Sequence, residues 1–364
     1  MQRRRFLNRA AATGGIGLAA VASPAFAQQS PAVKWRMSTT WPKSLDTIYG
    51  SADELCRRVG EITEGRFEIR AFPGGEIVPA SQNLDAVGNG TVECNHVLST
   101  FYIGKNPAVA FDTGLSFGLN ARQHNAWINY GGGLDLLRAM YKQYGIVNHV
   151  CGNVGVQMGG WYRKEIKSVA DLKGLKMRIG GIGGMVLTKL GAIPQQIAAG
   201  DIYPSLEKGS LDAAEWIGPY DDQKLGLNKV APYYYAPGWW EGSASITTHV
   251  NEKAWEALPA SYKAAFESAC AEQTMKMLAH YDAVNPQALK KLIDGGAKVA
   301  YFPRDVMDAA YKASQELYKE LSAKSADFAK IFPSWQQFQQ DQASWFKVAE
   351  SALDGYTFNA VGRR

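Results

Sequence analysis

The chain has 364 residues, 46% of them hydrophobic, so it is long enough to build two domains with real cores. Its formal net charge is +5, but four arginines within the first nine residues supply most of that excess. The near-neutral remainder argues against nucleic acid or an anionic membrane surface as a partner. No apolar run approaches the roughly 20 residues that a transmembrane helix needs.

Residues 1–27 are predicted to be an export signal. They combine a basic start, a mild apolar run rich in alanine and glycine, and an Ala-Phe-Ala stretch that fits a cleavage site. Arg3-Arg4, followed by Phe6 and Leu7, resembles the twin-arginine export motif, although positions 2 and 8 depart from it. An ordinary secretory signal is the alternative. Either route leads out of the cytoplasm, and we expect a periplasmic protein.

Residues 28–152 are predicted to form the first part of lobe I. Their apolar spacing alternates between the strand and helix periods. The predicted elements, in order, are strand 33–38, helix 44–64, strand 66–72, helix 82–88, strand 91–97, helix 123–143 and strand 147–151. Strands that alternate with helices indicate an α/β domain with a largely parallel sheet.

Residues 153–243 are predicted to form lobe II, which continues the alternation. The predicted elements are strand 154–162, a helical turn at 168–173, strand 175–179, helix 183–190, strand 192–197, helix 201–208 and strand 212–216. Residues 219–242 are rich in Tyr, Trp, Pro and Gly and are predicted to be a loop. The chain therefore leaves lobe I near residue 151 and returns near residue 243, which indicates a hinge of two strands.

Residues 244–364 are predicted to supply the return strand of lobe I at 243–250, a long spanning helix and C-terminal helices. Helical spacing continues for roughly 30 residues after Pro259, or about 45 Å, which is enough to brace both lobes. Pro286 is the expected site of a kink. A last helical region at 335–353 carries apolar residues that can pack on the body of the protein or on a second subunit.

The middle of the chain gathers the side chains that a small carboxylate would need. Arg178 lies in a predicted strand, Gln157 and Glu215 lie in two others, and Glu241 follows an aromatic loop. A guanidinium can hold a carboxylate through two parallel N–H bonds, and amide and carboxylate oxygens suit a hard cation. These residues point to capture of a small acid. The alternative is that the arginine serves a surface ion pair and the indoles serve packing.

Features typical of enzymes are missing from the sequence. The five histidines are scattered without an HExxH motif, and the four cysteines show no CxxC spacing, so they form either one or two disulfides or buried thiols. The glycine-rich stretch 180–184 lacks the residues of a P-loop, and we interpret it as a tight strand-to-helix turn near the ligand. An exported enzyme with a cofactor remains the alternative of another class. The indoles expected to wall the site are those of Trp161, Trp216, Trp239 and Trp240.

Several longer segments resemble the solute-binding subunits of TRAP transporters, the DctP-like family, over nearly the whole mature chain. The strongest matches are residues 171–178 (DLKGLKMR), 204–216 (PSLEKGSLDAAEW) and the first strand with Trp41-Pro42. Within that family the chain resembles the branch that binds 2-oxo monocarboxylates. The segments that carry this finer resemblance are 155–161 (GVQMGGW), 215–222 (EWIGPYDD) and 232–242 (PYYYAPGWWEG).

The resemblance implies the two-lobed α/β fold of periplasmic binding proteins, with a hinge and a long lobe-spanning helix. It implies an arginine on the ligand carboxylate, a position that Arg178 matches. It also implies a metal cation, sodium or calcium, that bridges ligand and protein. Gln157, Glu215 and the main-chain carbonyl of Trp216 match the cation positions.

The resemblance also implies a role without catalysis: a pyruvate-like acid is captured and delivered to separate TRAP permease subunits in the membrane. Lactate, a C4-dicarboxylate or another carboxylate is the alternative ligand. Glu241 is expected to face the cleft, and Tyr102 is a candidate from lobe I. A homodimer through the C-terminal helix is a further expectation.

Overall fold

The structure is a computed structural model, and it describes residues 31–361. The predicted export signal at 1–27 lies outside the described residues. None of the helices between residues 31 and 361 is both long and apolar enough to cross a bilayer.

Eleven strands occur within the described part of the chain. They are β1 (Val33–Thr39), β2 (Phe67–Phe72), β3 (Cys94–His96), β4 (Ile146–Asn153), β5 (Trp161–Tyr162), β6 (Lys176–Arg178), β7 (Ile193–Gln195), β8 (Ala213–Ala214), β9 (Tyr233–Ala236), β10 (Ser245–Asn251) and β11 (Lys298–Tyr301).

Thirteen α-helices lie within the same residues, together with short 3-10 turns. They are α1 (Ile48–Ile62), α2 (Asn83–Gly88), α3 (Ala110–Thr113), α4 (Ala121–Tyr130), α5 (Gly133–Tyr141), α6 (Gly181–Lys189), α7 (Ala199–Glu207), α8 (Pro219–Leu225), α9 (Glu252–Glu256), α10 (Ala260–Asp294), α11 (Arg304–Lys324), α12 (Ala326–Val348) and α13 (Glu350–Val361).

Each lobe is built on its own sheet. Lobe I has a five-stranded sheet in the order β2-β1-β3-β10-β4, and lobe II has a six-stranded sheet in the order β11-β9-β5-β8-β6-β7. Strand β1 pairs in parallel with β2 and β3, and β6 pairs in parallel with β7 and β8. Both sheets are mixed rather than largely parallel, because β10 and β5 run antiparallel to both of their neighbours.

The connections between the lobes follow the predicted pair of strands. Strands β4 and β10 are antiparallel neighbours in lobe I, and beyond them Val154 N–H donates to the carbonyl of Ala244 at 3.0 Å. Pairing continues into the connecting segments, where Gln157 N–H donates to the carbonyl of Glu241 at 3.2 Å. The hinge therefore consists of two segments that are hydrogen-bonded to each other.

Helix α10 spans the two lobes, as the apolar spacing predicted. Its 35 residues run without interruption through Pro286. Phe266 packs with Trp35 and Phe67 of lobe I, while Tyr281 donates a 2.7 Å hydrogen bond to Asp221 of lobe II. At 1.5 Å per residue the helix is about 52 Å long, so it contacts both lobes.

Several element boundaries differ from the sequence expectations, each for a local reason. The predicted helix 123–143 is two helices, because glycines at 131–133 interrupt it. The predicted loop 219–242 contains α8 and β9. Strand β11 pairs in parallel with β9, so lobe II takes a strand from beyond residue 244, outside the predicted range 153–243. Residues 304–324, not assigned from sequence, form α11.

The four cysteines are buried free thiols rather than disulfides. Cys56, Cys94, Cys151 and Cys270 all belong to one apolar cluster of lobe I, between its sheet and helices α1 and α10. Burial raises the pKa of the Cys56 thiol, and that of Cys94, above the ordinary value. These two thiols therefore serve packing in the neutral form.

Candidate functional site

A small cavity lies between the lobes. Its walls come from the carboxyl ends of β1 and β3 in lobe I, the carboxyl ends of β6, β7 and β8 in lobe II, and both hinge segments. This is where open α/β sheets bind ligands. The lining residues are Trp41, Leu98, Thr100, Phe101, Gln157, Arg178, Ile179, Gly180, Gln196, Glu215, Trp216, Ile217, Trp240 and Glu241.

Arg178 is the cationic group of this cavity. It ends β6, and parallel pairing with β8 places it beside Glu215: Arg178 pairs with Ala214, and Glu215 N–H donates to the Arg178 carbonyl at 3.1 Å. Its Nη1 donates to Glu215 Oε1 at 2.5 Å and to the Glu215 carbonyl at 2.7 Å, and Nε donates to the Ile197 carbonyl at 3.3 Å. Hydrogen bonds within residues 31–361 thus occupy Nε and Nη1, and none involves Nη2.

The ion pair between Arg178 and Glu215 is almost completely buried. The two side chains are 5% and 7% exposed. Burial raises the pKa of Glu215 to about 7, while Arg178 acts to lower it. The Arg178 guanidinium also lies over the indole of Trp216, 4.9 Å from the ring centroid. These contacts hold the Arg178 guanidinium in one orientation at the cavity wall.

Gln157 and Glu241 form a second polar pair, one from each hinge segment. Gln157 Nε2 donates to Glu241 Oε2 at 2.7 Å. Burial, and then the nearby Glu215 carboxylate, raise the pKa of Glu241 to about 8. Gln157 Oε1 is buried and, within residues 31–361, has no hydrogen-bond partner. An amide oxygen left unpaired at the cavity wall is an oxygen that a cation can use.

Two of the four predicted indoles line the cavity, and two do not. Trp216 and Trp240 are wall residues. Trp161 stacks on Tyr234 at 4.0 Å inside lobe II, and Trp239 stacks on Phe117 at 5.3 Å. The expectation of a wall role for Trp161 and Trp239 is therefore wrong, because both rings are used in packing.

The expectation for Tyr102 is also wrong. Its ring is buried in the core of lobe I, and its hydroxyl donates to the Ala80 carbonyl at 3.2 Å. Lobe I instead presents Thr100, two residues earlier in the same 3-10 turn. A Cβ on Gly181, which has φ +64°, would lie 2.1 Å from Thr100 Oγ1, so glycine at the start of α6 lets the lobes meet.

Sequence reasoning missed several wall residues, Thr100 and Gln196 among them. Gln196 follows β7 directly, and Thr100 lies four residues past the end of β3. The available signal was position: polar residues just past the carboxyl end of a parallel strand face the ligand edge of the sheet. The glycine stretch was placed correctly, since Gly180 lines the cavity where β6 passes into α6.

The oxygen atoms near this wall suit a hard cation better than a transition metal. Within residues 31–361, no cluster of three or more His, Cys, Asp or Glu could hold a metal ion by itself. The cavity offers the Glu215 carboxylate, the Gln157 amide oxygen and main-chain carbonyls. Such a set is incomplete alone, and a chelating ligand that adds its own oxygens would complete it.

Comparison with known proteins agrees with this geometry. The family described as bacterial extracellular solute-binding protein, family 7 (DctP), matches residues 37–325. A monocarboxylate 2-oxoacid-binding periplasmic protein from Nostoc sp. is 46% identical over 360 residues, which cover 98% of this chain and 99% of the relative.

Two solved structures are similar over most of the chain. A TRAP transporter solute binding protein from Bordetella bronchiseptica is 76% identical with a TM-score of 0.91, and the match covers 92% of this chain and 99% of that one. It is a mixed-occupancy dimer with copurified calcium and picolinate in one active site and an apo site. A TRAP periplasmic solute binding protein from Pseudoalteromonas atlantica, with bound sodium and pyruvate, is 37% identical with a TM-score of 0.85, covering 88% and 98%. The chain belongs to the DctP family of extracellular solute-binding proteins, the solute receptors of TRAP transporters.

Proposed function

We propose that this receptor captures a small 2-oxo monocarboxylate of the pyruvate type together with a bridging cation, sodium or calcium, and delivers it to TRAP permease subunits. The observation that carries the proposal is the buried pair of Arg178 and Glu215 in the cavity between the lobes. The similar proteins with bound sodium and pyruvate, or calcium and picolinate, support it.

The chemistry of a 2-oxo acid fits the groups that face this cavity. One carboxylate oxygen and the keto oxygen lie next to each other and can chelate a cation in a five-membered ring. Glu215, Gln157 Oε1 and the carbonyl of Trp216 would supply the protein oxygens. The unpaired Gln157 Oε1 fits that task, because a cation would satisfy an atom that is otherwise buried without a partner.

Arg178 would take the other part of the ligand, its carboxylate. Two parallel N–H bonds need both Nη1 and Nη2, yet Nη1 is occupied by Glu215. When Glu215 turns its side chain toward a cation, one Nη1 hydrogen becomes free for the ligand. The Glu215 carboxylate therefore holds the place of the ligand carboxylate, and cation and acid are expected to bind as a pair.

Calorimetry of the mature protein tests the proposal directly. Pyruvate, 2-oxobutyrate, lactate and a C4-dicarboxylate would each be titrated with calcium, with sodium, and after chelation in a sodium-free buffer. We expect 2-oxo acids to bind tightest. Their affinity should fall about 100-fold or more without a cation, because the acid then loses one of the two positive charges that contact it. Tight binding of the dicarboxylate alone, or binding indifferent to cations, would contradict the proposal.

We also propose that the export signal is of the twin-arginine type. The family is extracellular, which agrees with export, and Arg3-Arg4 supports this particular route. Export of the full chain in a bacterial strain that lacks the twin-arginine translocase distinguishes this route from the ordinary secretory one.

We further propose that the protein forms a homodimer through its C-terminal helix. Helix α13 has no buried residue, and its apolar side chains are open to solvent. Those of Leu353, Tyr356 and Phe358 are 65%, 77% and 71% exposed. The protein from Bordetella bronchiseptica is a dimer. A partner subunit that covers these side chains would remove an apolar surface that isolated proteins avoid.

Deletion of residues 349–364 should convert the dimer into a monomer, as measured by light scattering after gel filtration. The cut follows Val348, because Trp335 is buried against Phe111 and an earlier cut would expose the core. The double variant Tyr356→Ser/Phe358→Ser keeps the length and should also dissociate, whereas Asp354→Asn should not. A dimer that survives the deletion would place the interface elsewhere.

A further inference from the structure

The peptide bond between Trp216 and Ile217 is held from one side only. Its N–H donates to Asp222 Oδ1 at 3.3 Å. The carbonyl of Trp216, on the other side of this peptide bond, accepts no hydrogen bond from residues 31–361. The next carbonyl is engaged, because Met158 N–H donates to the oxygen of Ile217 at 2.9 Å.

A planar trans peptide directs its N–H and C=O in opposite directions. Since Asp222 accepts the N–H, the carbonyl of Trp216 is directed away from Asp222. Glu215, Trp216 and Ile217 all line the cavity between the lobes. The fixed N–H therefore fixes the direction of a carbonyl that belongs to a wall residue of the cavity and accepts no hydrogen bond from residues 31–361.

Asp222 is itself built into the core of lobe II. It is 1% exposed, and its Oδ2 accepts from Tyr234 OH at 2.8 Å and from Trp161 Nε1 at 3.0 Å. Its own N–H donates to the Gly218 carbonyl at 2.9 Å, which closes the turn that follows Ile217. The three groups that donate to the carboxylate, an indole, a phenol and an amide, are neutral.

We propose that Asp222 is a positioning residue of the cation site, which aims and polarises the Trp216 carbonyl through the Ile217 N–H. A carboxylate that accepts the N–H shifts the electron density of the peptide group toward its carbonyl oxygen, because hydrogen-bonded groups polarise one another. The oxygen thereby becomes a better ligand for a hard cation. Hydrogen-bond partners of metal ligands commonly orient and strengthen those ligands in this way. The inference rests on the proposed function, since it concerns the same cation.

The substitution Asp222→Asn tests the role of the carboxylate. Both of its oxygens accept hydrogen bonds, so an amide must turn its NH₂ toward at least one donor and lose that bond. We expect calcium affinity, measured by calorimetry with saturating pyruvate, to fall about 10- to 100-fold. Asp221→Asn is the matched control, because Asp221 is equally buried one residue earlier and its side chain bonds, among the described residues, only to Tyr281. Its calcium affinity should stay within about twofold of the wild type.

If Asp222→Asn does not fold, a measurement on the wild-type protein tests the same proposal. In protein labelled with ¹⁵N-isoleucine, the Ile217 amide, assigned with Ile217→Val, should be protected from exchange. Its proton should shift downfield when calcium and pyruvate are added, because the cation polarises the shared peptide bond. An Ile217 amide that exchanges rapidly, or does not move, would overturn the role of Asp222.

The two hypotheses fail in different ways. If the wild type binds no 2-oxo acid with calcium or sodium, the proposed function is wrong. If the wild type binds both and Asp222→Asn has the same calcium affinity with only a lower melting temperature, Asp222 is a core residue and the positioning role is wrong, while the proposed function stands.

Discussion

Replacing Arg178 with alanine should weaken binding of pyruvate by about 2–5 kcal/mol, or roughly 30-fold to several thousand-fold. The guanidinium is the charged donor of the cavity, and the substitution strands the Glu215 carboxylate, which is buried and otherwise paired with it. Loss of Arg178 also removes the influence that lowers the pKa of Glu215, so that acid should become still harder to ionise. Calorimetry with calcium present measures the affinity, and circular dichroism verifies the fold.

The exposed pair of Arg36 and Glu93 supplies a control for Arg178. It also joins a guanidinium to a carboxylate, but its side chains are 49% and 25% exposed on lobe I. Arg36→Ala should leave pyruvate affinity unchanged. If Arg178→Ala bound pyruvate as tightly as Arg36→Ala does, the carboxylate anchor would have to lie elsewhere.

Replacing Glu215 with glutamine should shift the calcium dependence of pyruvate binding to much higher calcium concentrations. The substitution keeps the shape and one oxygen but removes the negative charge that would balance a divalent ion beside Arg178. We expect calcium affinity to fall by about 3–5 kcal/mol, the scale found when one partner of a buried ion pair is removed. Calcium titrations with saturating pyruvate, monitored by calorimetry, measure the change.

Glu241→Gln separates the two acids of the cavity. Glu241 bonds to the Gln157 amide and has no direct bond to Arg178 among the described residues. Its substitution should therefore reduce calcium affinity less than Glu215→Gln does. An equal or larger effect of Glu241→Gln would assign the cation to the hinge carboxylate and contradict the role given to Glu215. Glu93→Gln serves as the control for charge loss far from the cavity.

The sequence was sufficient to predict the charged groups that lie at the ends of strands in lobe II. Arg178 ends β6 and Glu215 follows β8, so a strand prediction for each places both residues at carboxyl ends of strands, while the expectation that they meet came from the family resemblance. The same reasoning failed for Tyr102, because a four-residue 3-10 turn directs successive side chains in different directions, and only Thr100 and Phe101 reach the cavity.

Long-range pairing explains the remaining errors. Strand β11 comes more than 60 residues after β9, and no periodicity near residue 298 shows that it will pair with a strand of lobe II. Trp161 and Trp239 looked like wall residues because tryptophan is common around ligands, yet each ring found an aromatic partner in the core. Such partners depend on tertiary packing that composition does not encode.

The placement of Gln157 and Glu241 on the two hinge segments has a mechanical consequence. Since each segment carries one of the two side chains, a motion that separates the segments would break the hydrogen bond between Gln157 and Glu241 at the cavity wall. If a permease subunit opens the receptor at this hinge, it would also disturb these two polar groups.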